Sequence, residues 1–446
     1  MKPSMPKGTR DFGPDQVLKR EYIFNIIKEV FRLFGFAPLE TPAMESLSTL
    51  TGKYGEEGDR LLFKILNNGN FLEGADEKAL NEKNSQALVS SISKRGLRYD
   101  LTVPFARYVV MNQSNLSFPF KRYQIQPVWR ADRPQRGRYQ EFYQCDVDII
   151  GSDHLMYESE LIQIYDLVFC KLELPVIIRI NNRKILYGIA EKAGITDKFI
   201  KMTTALDKLD KVGWEGVTKE LESAGITPSQ TETIKTISAT TDLNLLERLL
   251  DGCEVGEKGC SELKEVLRYA GESGLANKLQ FDITLARGLS YYTGCIIEVV
   301  AADANMGSIG GGGRYDDLTG VFGMQGMSGV GVSFGAERIY DVLEEKKLFP
   351  ENLGVTLNLL IVSFDEVCFQ AGVTMVRDLR KAGIQCDIYP GAPKMQKQMK
   401  YANDRKLPYV IIIGSEEMAS GLFTVKDMMT GTQEKLTFAE ISERFS

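Results

Sequence analysis

Between Arg122 and Gly151 the chain reads Arg-Tyr-Gln-Ile-Gln-Pro-Val-Trp-Arg, then Ala-Asp-Arg-Pro-Gln-Arg-Gly-Arg, then Tyr-Gln-Glu-Phe-Tyr-Gln-Cys-Asp-Val-Asp-Ile-Ile-Gly. The outer runs, 122–129 and 139–150, read as strands, and the second alternates polar and apolar side chains in part. Half-buried antiparallel strands have that pattern, because successive side chains point to opposite faces. The loop 131–138 between them carries Arg133, Arg136 and Arg138, and Arg130 closes the first run. A guanidinium at a rigid strand end can grip a phosphate through two parallel charge-assisted hydrogen bonds. By composition alone, a solvated basic hairpin tip reads the same way.

Around this hairpin, residues 14–34 read as a helix suited to covering a sheet. Pro14 fits a first helical position and Gly35 a stop, while Val17, Leu18, Tyr22, Ile26, Ile27, Val30, Phe31 and Phe34 recur at helical spacing. Residues 36–42 form a short extended edge, since positions before Pro38 and Pro42 are pushed toward β. Residues 67–96, dense in Asn, Glu, Lys, Ser and Gly, read as an exposed and partly disordered insertion. A strand follows at 97–101. Residues 183–275 are almost wholly helical, punctuated by Gly194, Gly225, Gly252 and Gly271, and mark an inserted helical domain between the two parts of a larger one (1–182 and 276–348). Strand signals return at 279–285 and 295–301, before a glycine cluster and a strand-to-helix unit from Gly329 to Leu348. Beyond a linker at 349–356, strands at 357–362, 385–389 and 409–414 alternate with helices at 367–382 and 394–405. That order implies a small α/β domain over 357–446 with a partly parallel sheet.

Composition removes several classes of function. No apolar run approaches the ~20 residues a bilayer span needs, and no apolar stretch follows the first lysines. No membrane segment or signal peptide is therefore expected, and the expected compartment is the cytoplasm. Seven cysteines are scattered, the closest pair (Cys253 and Cys260) is spaced too widely for a zinc loop, and His154 is the one histidine, so no structural metal is expected. His154, in Gly-Ser-Asp-His-Leu, reads as a turn or helix-start residue. Catalysis then falls to arginines, carboxylates and backbone dipoles. A net charge of -6 argues against indiscriminate nucleic-acid binding but leaves room for a local basic face.

Three further stretches carry chemistry. Thr284-Leu-Ala-Arg-Gly-Leu-Ser-Tyr-Tyr-Thr-Gly294 sets one arginine and two tyrosines between glycines, which suits a planar polar ligand or a core hairpin with aromatic packing. Gly307-Ser-Ile-Gly-Gly-Gly-Gly-Arg-Tyr-Asp316 is dense enough in glycine to let a ligand press on backbone, yet it is neither a Walker A loop nor a dinucleotide fingerprint; a plain flexible loop fits it too. In Gly331-Val-Ser-Phe-Gly-Ala-Glu-Arg-Ile339 an arginine stands in the first turn of a helix, where partial positive charge already gathers. Arg338 is at odds with that helix start unless an anion comes near, a local conflict that hints at function.

Together, and in this order, these features resemble a class II aminoacyl-tRNA synthetase. Leu285–Gly294 and the Gly-Gly-Gly-Arg-Tyr-Asp run ending at Asp316 look like motifs of the histidyl-tRNA synthetase family, which Lys7-Gly-Thr-Arg-Asp11 and Leu97-Arg-Tyr-Asp-Leu-Thr-Val-Pro104 also fit. The resemblance covers nearly the whole chain apart from 67–96. It implies an α+β catalytic domain, an antiparallel sheet with flanking helices, with a helical insertion and a C-terminal α/β anticodon-binding domain. It also implies activation of histidine with ATP, accompanied by Mg2+, and transfer to tRNA(His) by a homodimer with Thr41 and Pro42 at its interface. By the same resemblance Arg130 would hold the ATP α-phosphate, Arg338 the γ-phosphate, and Arg287 would add positive charge at the reacting phosphorus. Asp100, Thr102 and Gln144 would face the histidine α-ammonium, and Asp148 and Tyr292 its imidazole, with Tyr291 and Tyr315 as walls. Arg130 and Arg287 would also border that pocket, Arg133 and Gln135 would meet the RNA acceptor end, and Lys394, Lys397, Lys400, Arg405 and Lys406 are candidates for RNA phosphate in the C-terminal domain. The magnesium ligands are not assigned. The alternative is a non-catalytic relative, a regulatory subunit of ATP phosphoribosyltransferase, which usually lacks the anticodon domain and often loses the arginines. A synthetase for another amino acid is disfavoured by Arg-Gly-Leu-x-Tyr-Tyr.

Overall fold

The hairpin forms as its pattern predicts. In the computed structural model, which describes all residues but 1, 53, 54, 287–291, 305, 351, 352, 354–356 and 446, Phe120–Trp129 pairs antiparallel with Glu141–Ile150, from Phe120↔Ile150 to Trp129↔Glu141. It belongs to an eight-stranded sheet in the first of two units, Met1–Phe349. The strand order is Ala37–Pro38, Phe120–Trp129, Glu141–Ile150, Gly329–Gly335, Gly310–Tyr315, Cys295–Ala301, Val176–Asn182, Lys278–Phe281. Interior pairings are antiparallel, and the two edge pairings are parallel.

Period-two alternation sorts this sheet into a dry face and a polar one. Cys145, Val147 and Ile149 enter the apolar core with Ile27, Val30 and Phe31 of the helix Pro14–Leu33 and Leu161, Tyr165 and Phe169 of the helix Met156–Lys171. Gln144, Asp146 and Asp148 must then face the other way. The first helix starts with Pro14 at its first position and is followed by Gly35 at φ +77°, a left-handed stop that suits glycine. Helices from Arg183–Lys192 to Glu254–Gly271 occupy the predicted helical stretch, and their buried Ile185, Leu186, Leu263 and Val266 join the same core as the sheet. Two of them meet at glycine: a Cβ on Gly188 would stand 2.7 Å from the Gly256 Cα.

Several expectations change. The glycine cluster is no loop but the strand Gly310–Tyr315 inside the sheet. Residues 67–96, expected to be exposed and partly disordered, are largely exposed but contain the helices Glu77–Asn81 and Ser85–Ile92, capped by Asp76 and Asn84. Side-chain caps satisfy the first backbone N–H groups there, which composition does not reveal. The strand expected at 97–101 lies earlier, at Arg95–Leu97, in the middle of a three-stranded sheet with Met44–Ser46 and Lys64–Ile65; the helix Thr102–Asn112 follows.

The second unit, Pro350–Ser446, holds a five-stranded sheet ordered Cys386–Ile388, Leu359–Ser363, Tyr409–Ile413, Leu422–Asp427, Gln433–Thr437. The first three strands are parallel, and the last two, absent from the sequence reading, add an antiparallel hairpin. Leu359 and Ile361 pack on one side with Cys368 and Leu379 of the helix Glu366–Lys381, while Leu360 and Val362 pack on the other with Ala402 and Leu407. Burial on both faces explains why these strands read as continuous apolar runs.

Candidate active site

On the polar face of the large sheet, Asp146 lies opposite Ser333 and Asp148 opposite Gly331. A pocket of about 150 Å³ opens there, lined by Asp100, Thr102, Gln144, Asp146, Asp148, Tyr292 and Tyr315, with Gly311, Gly331 and Ser333 in the wall. The glycines are steric requirements of this construction. A Cβ on Gly331 would fall 2.0 Å from Asp148 Oδ1, one on Gly312 2.1 Å from the Gly331 carbonyl, and one on Gly313 2.4 Å from the Cys295 carbonyl.

The pocket floor is charged and buried. Arg122, fully buried, places Nη2 2.8 Å from Asp148 Oδ2, close enough for an ion pair though not aligned as a hydrogen bond. Its Nε and Nη1 have no hydrogen-bond partner among the described residues, and its guanidinium lies 4.2 Å from the Phe105 ring centre. The Tyr315 hydroxyl donates to Asp148 Oδ1 at 2.6 Å. Burial pushes the Asp148 carboxyl up, while Arg122 and the Tyr315 hydrogen bond pull it back. Burial likewise drives the Tyr315 phenol well above its ordinary value, with Asp148 adding to the effect. Asp146 is pushed up to about 7 by burial, against the pull of Arg122. Asp100 Oδ1 accepts from the Val103 N–H at 3.1 Å, fixing the start of the helix that carries Thr102.

A second cavity, about 540 Å³, adjoins this pocket; Arg130, Gln144, Gly311 and Ser333 line both. Arg130 donates through Nε to the Tyr99 carbonyl (3.1 Å) and through Nη2 to Gln144 Oε1 (3.5 Å), with its guanidinium 4.2 Å from the Tyr99 ring centre. Arg338 stands on the far wall, held by the carbonyls of Gly137 (2.8 Å) and Ser308 (2.6 Å). Those two acceptors resolve part of the conflict noted at this helix start. The preceding Glu337 is clasped by Arg20 (2.5 Å) and Arg10 (2.7 Å), which ties the N-terminal segment to the helix carrying Arg338. Gly8 anchors the same segment, accepting from the Gln140 N–H at 2.8 Å at φ +83°.

A family model described as Histidyl-tRNA synthetase matches residues 69–339, and one described as Anticodon binding domain matches 358–446. The chain belongs to the histidyl-tRNA synthetase family. A histidine–tRNA ligase of Phocaeicola vulgatus is 52% identical over 445 residues, 99% of this chain and 98% of its own. That of Christiangramia forsetii is 54% identical over 449 residues, with the same shares covered. Among solved structures, histidyl-tRNA synthetase from Nostoc sp. PCC 7120 matches with a TM-score of 0.83 at 28% identity, over 100% of this chain and 99% of that one.

For a member of this family, the structure brings together Asp100, Thr102, Arg130, Gln144, Asp148 and Tyr292, and sets Arg338 across the larger cavity. Arg287 and Tyr291 lie outside the described residues. Arg133 and Gln135 are exposed in the hairpin loop, where Gln135 bridges Arg138, and they line neither cavity. His154 is exposed at a helix start, its Nδ1 accepting from the Met156 N–H at 3.2 Å. The sequence reading missed Arg122, Asp146, Ser333 and the Arg10–Glu337–Arg20 clasp. Strand alternation through Gln144, Asp146 and Asp148 was the available signal for Asp146.

Proposed function

We propose that the chain is a histidine–tRNA ligase: it joins histidine to ATP as histidyl-adenylate, releasing pyrophosphate, then passes the histidyl group to the 3' end of tRNA(His). One observation carries the mechanism: Arg130 lies on the wall common to a cavity with Arg338 at its far side and a pocket floored by carboxylates. A carboxylate leaving the small pocket and a phosphate entering the large one meet at one guanidinium. In this reading ATP lies in the larger cavity, with Arg130 on its α-phosphate and Arg338 on its γ-phosphate. The histidine carboxylate attacks phosphorus in line, and catalysis is positioning and charge stabilisation without a side-chain nucleophile. Arg287 adds positive charge at the reacting phosphorus. Asp100, Thr102 and Gln144 take the α-ammonium, and Asp148 and Tyr292 the imidazole, with Tyr291 a wall.

Mg2+ enters with the nucleotide. Among the described residues, the carboxylates on the larger cavity's wall are Asp132 and Glu337, and Glu337 is already held by two arginines. Phosphate oxygens and water are therefore its main ligands in this reading. Arg133 and Gln135, exposed at the hairpin tip, meet the acceptor end of tRNA(His). The second unit reads the anticodon, and the enzyme works as a cytoplasmic homodimer. No helix among the described residues is long and apolar enough to cross a membrane.

ATP–pyrophosphate exchange with magnesium and each amino acid in turn tests this. Exchange with histidine alone is the expected result. Exchange with another amino acid would keep the chemistry and overturn the pocket assignment. A folded protein that binds histidine without exchange would favour the regulatory alternative.

A further inference from the structure

We propose that Asp146 is a further residue of amino-acid selection, holding in the small pocket the negative charge that the cationic side of the ligand completes. The inference rests on reading that pocket as the histidine site. Three carboxylates line it, and they are not equivalent. Asp148 faces Arg122 and takes the Tyr315 hydroxyl. Asp100 accepts a backbone N–H at a helix start, where partial positive charge gathers. Asp146, only 2% exposed, faces neutral groups: Gln144 Nε2 lies 3.4 Å from its Oδ1, and Ser333, to which Gln144 also donates, stands opposite it on the neighbouring strand. Among the described residues it forms no ion pair.

Among the described residues no cation pairs with Asp146; Arg122, which attracts it from the neighbouring strand, is paired with Asp148. From its own strand come Cys145 and Asp148; from Phe120–Trp129 come Arg122 and the neutral Gln124; Asp100 and Arg98 approach from the segment before Thr102, and Tyr165 from the helix Met156–Lys171. Arg122 is paired with Asp148, and Arg98 donates to the Thr41 and Pro127 carbonyls and Gln126. Arg130, at the mouth, faces the rings of Tyr99 and Phe142. A buried carboxylate whose attracting cation is already paired with another carboxylate favours its neutral form, in keeping with the upward push to about 7. An ammonium entering the pocket reverses that balance: the Asp146 O–H bond breaks, its proton passes to solvent, and the carboxylate stays with the cation. Affinity for histidine then climbs as pH rises through about 7. In the free protein the sign is opposite for stability. The folded state holds a proton that the unfolded chain has lost, so the stability contributed by this group falls as pH rises from 3.8 towards about 7.

Calorimetric titration of histidine into the wild type, Asp146→Asn and Asp148→Asn, at pH 6.5–7 in two buffers of different ionisation enthalpy, counts the released protons. Histidine's own imidazole titrates nearby, so the Asn variant supplies the baseline. Expected is greater proton release by the wild type and histidine binding weakened about tenfold or more in Asp146→Asn, the equivalent of one pKa unit or more. ATP binding should be unchanged, and the melting temperature equal or higher, because a buried carboxylate whose attracting cation is already paired with another is gone. Unaltered histidine affinity and proton count in Asp146→Asn, with Asp148→Asn impaired, would overturn the role of Asp146 and leave the pocket reading intact. If neither variant were impaired, the pocket reading would fall as well. Weaker binding with unchanged proton release and a lowered melting temperature would make Asp146 a structural residue and overturn the proposal.

Discussion

The two units of this chain treat charge in opposite ways. The first buries it: Asp100, Asp146, Asp148 and Arg122 sit at 0–2% exposure in the sheet's polar face, and Glu158 and Arg314 form another interior pair. The second keeps its interior nearly neutral. Among the described residues its buried polar ones are Ser363, Gln398, Glu417 and Thr424, and the Gln398 side-chain amide donates hydrogen bonds to the carbonyls of Ser363, on a strand, and Pro393, just before its own helix. Its candidate RNA-contacting cations, Lys394, Lys397, Lys400, Arg405 and Lys406, are all exposed. Charges fixed in a dry interior act strongly on a reacting group because no solvent must reorganise. Solvated charges attract a polyanion at modest strength and with a salt dependence.

This contrast ranks the effects of substitution. Arg130→Ala should be the most damaging, lowering pyrophosphate exchange roughly 10²–10³-fold, the scale of losing one preorganised transition-state contact. A change confined to the ATP Michaelis constant would place Arg130 in the nucleotide cavity alone and break the shared-wall reading. Asp148→Asn keeps the side-chain shape and the Tyr315 contact while removing the charge opposite Arg122. It should raise the histidine Michaelis constant about 10–100-fold, for some 1.5–3 kcal/mol of charged hydrogen bonding, and leave that of ATP nearly unchanged. Parallel effects on both substrates would sink the imidazole assignment. Gly331→Ala drives a methyl group to 2.0 Å from Asp148 Oδ1, and that carboxylate is held in place by Tyr315 at Oδ1 and by Arg122 at Oδ2. Thermal or urea unfolding should show a loss of about 1–3 kcal/mol, as for overpacked cores. Gly271→Ala, with nothing within 4 Å of the new methyl, is the control expected to be near neutral.

How much of this was legible follows the same division. The hairpin could be read because aromatic and β-branched residues alternate along it, and the second unit because its strands are apolar on both faces. The strand Gly310–Tyr315 could not: glycine has little strand preference of its own, and here crowding from Val332, the Cys295 carbonyl and Tyr165 imposes it. The hairpin Leu422–Thr437 has exposed and polar outer positions that read as loop. In the site, Arg130 and Arg338 stood out at element ends, where a cation is conspicuous. Arg122 and Asp146 lie within strands whose partial alternation makes polar residues look merely solvent-facing; only the sheet reveals that their face is closed over by a pocket.

The weakest effects belong to the second unit, and their pattern is informative. Lys397 forms no ion pair among the described residues, whereas Lys400 on the same helix, Met395–Asp404, lies 2.5 Å from Asp404 one turn on. An exposed pair of that kind contributes only about 0.3–0.5 kcal/mol to the helix, but it lowers the charge Lys400 offers to RNA. If this face meets phosphate, Lys397→Ala should weaken tRNA(His) charging severalfold and reduce the salt slope of binding by about one. Lys400→Ala should do less, and neither should alter pyrophosphate exchange, which needs no RNA. Equal, negligible effects of both would mark the helix as a solvated face and move RNA contact elsewhere on the unit. A fall in exchange for either would mean that solvated charge here reaches the chemistry, and the contrast between the units would fail.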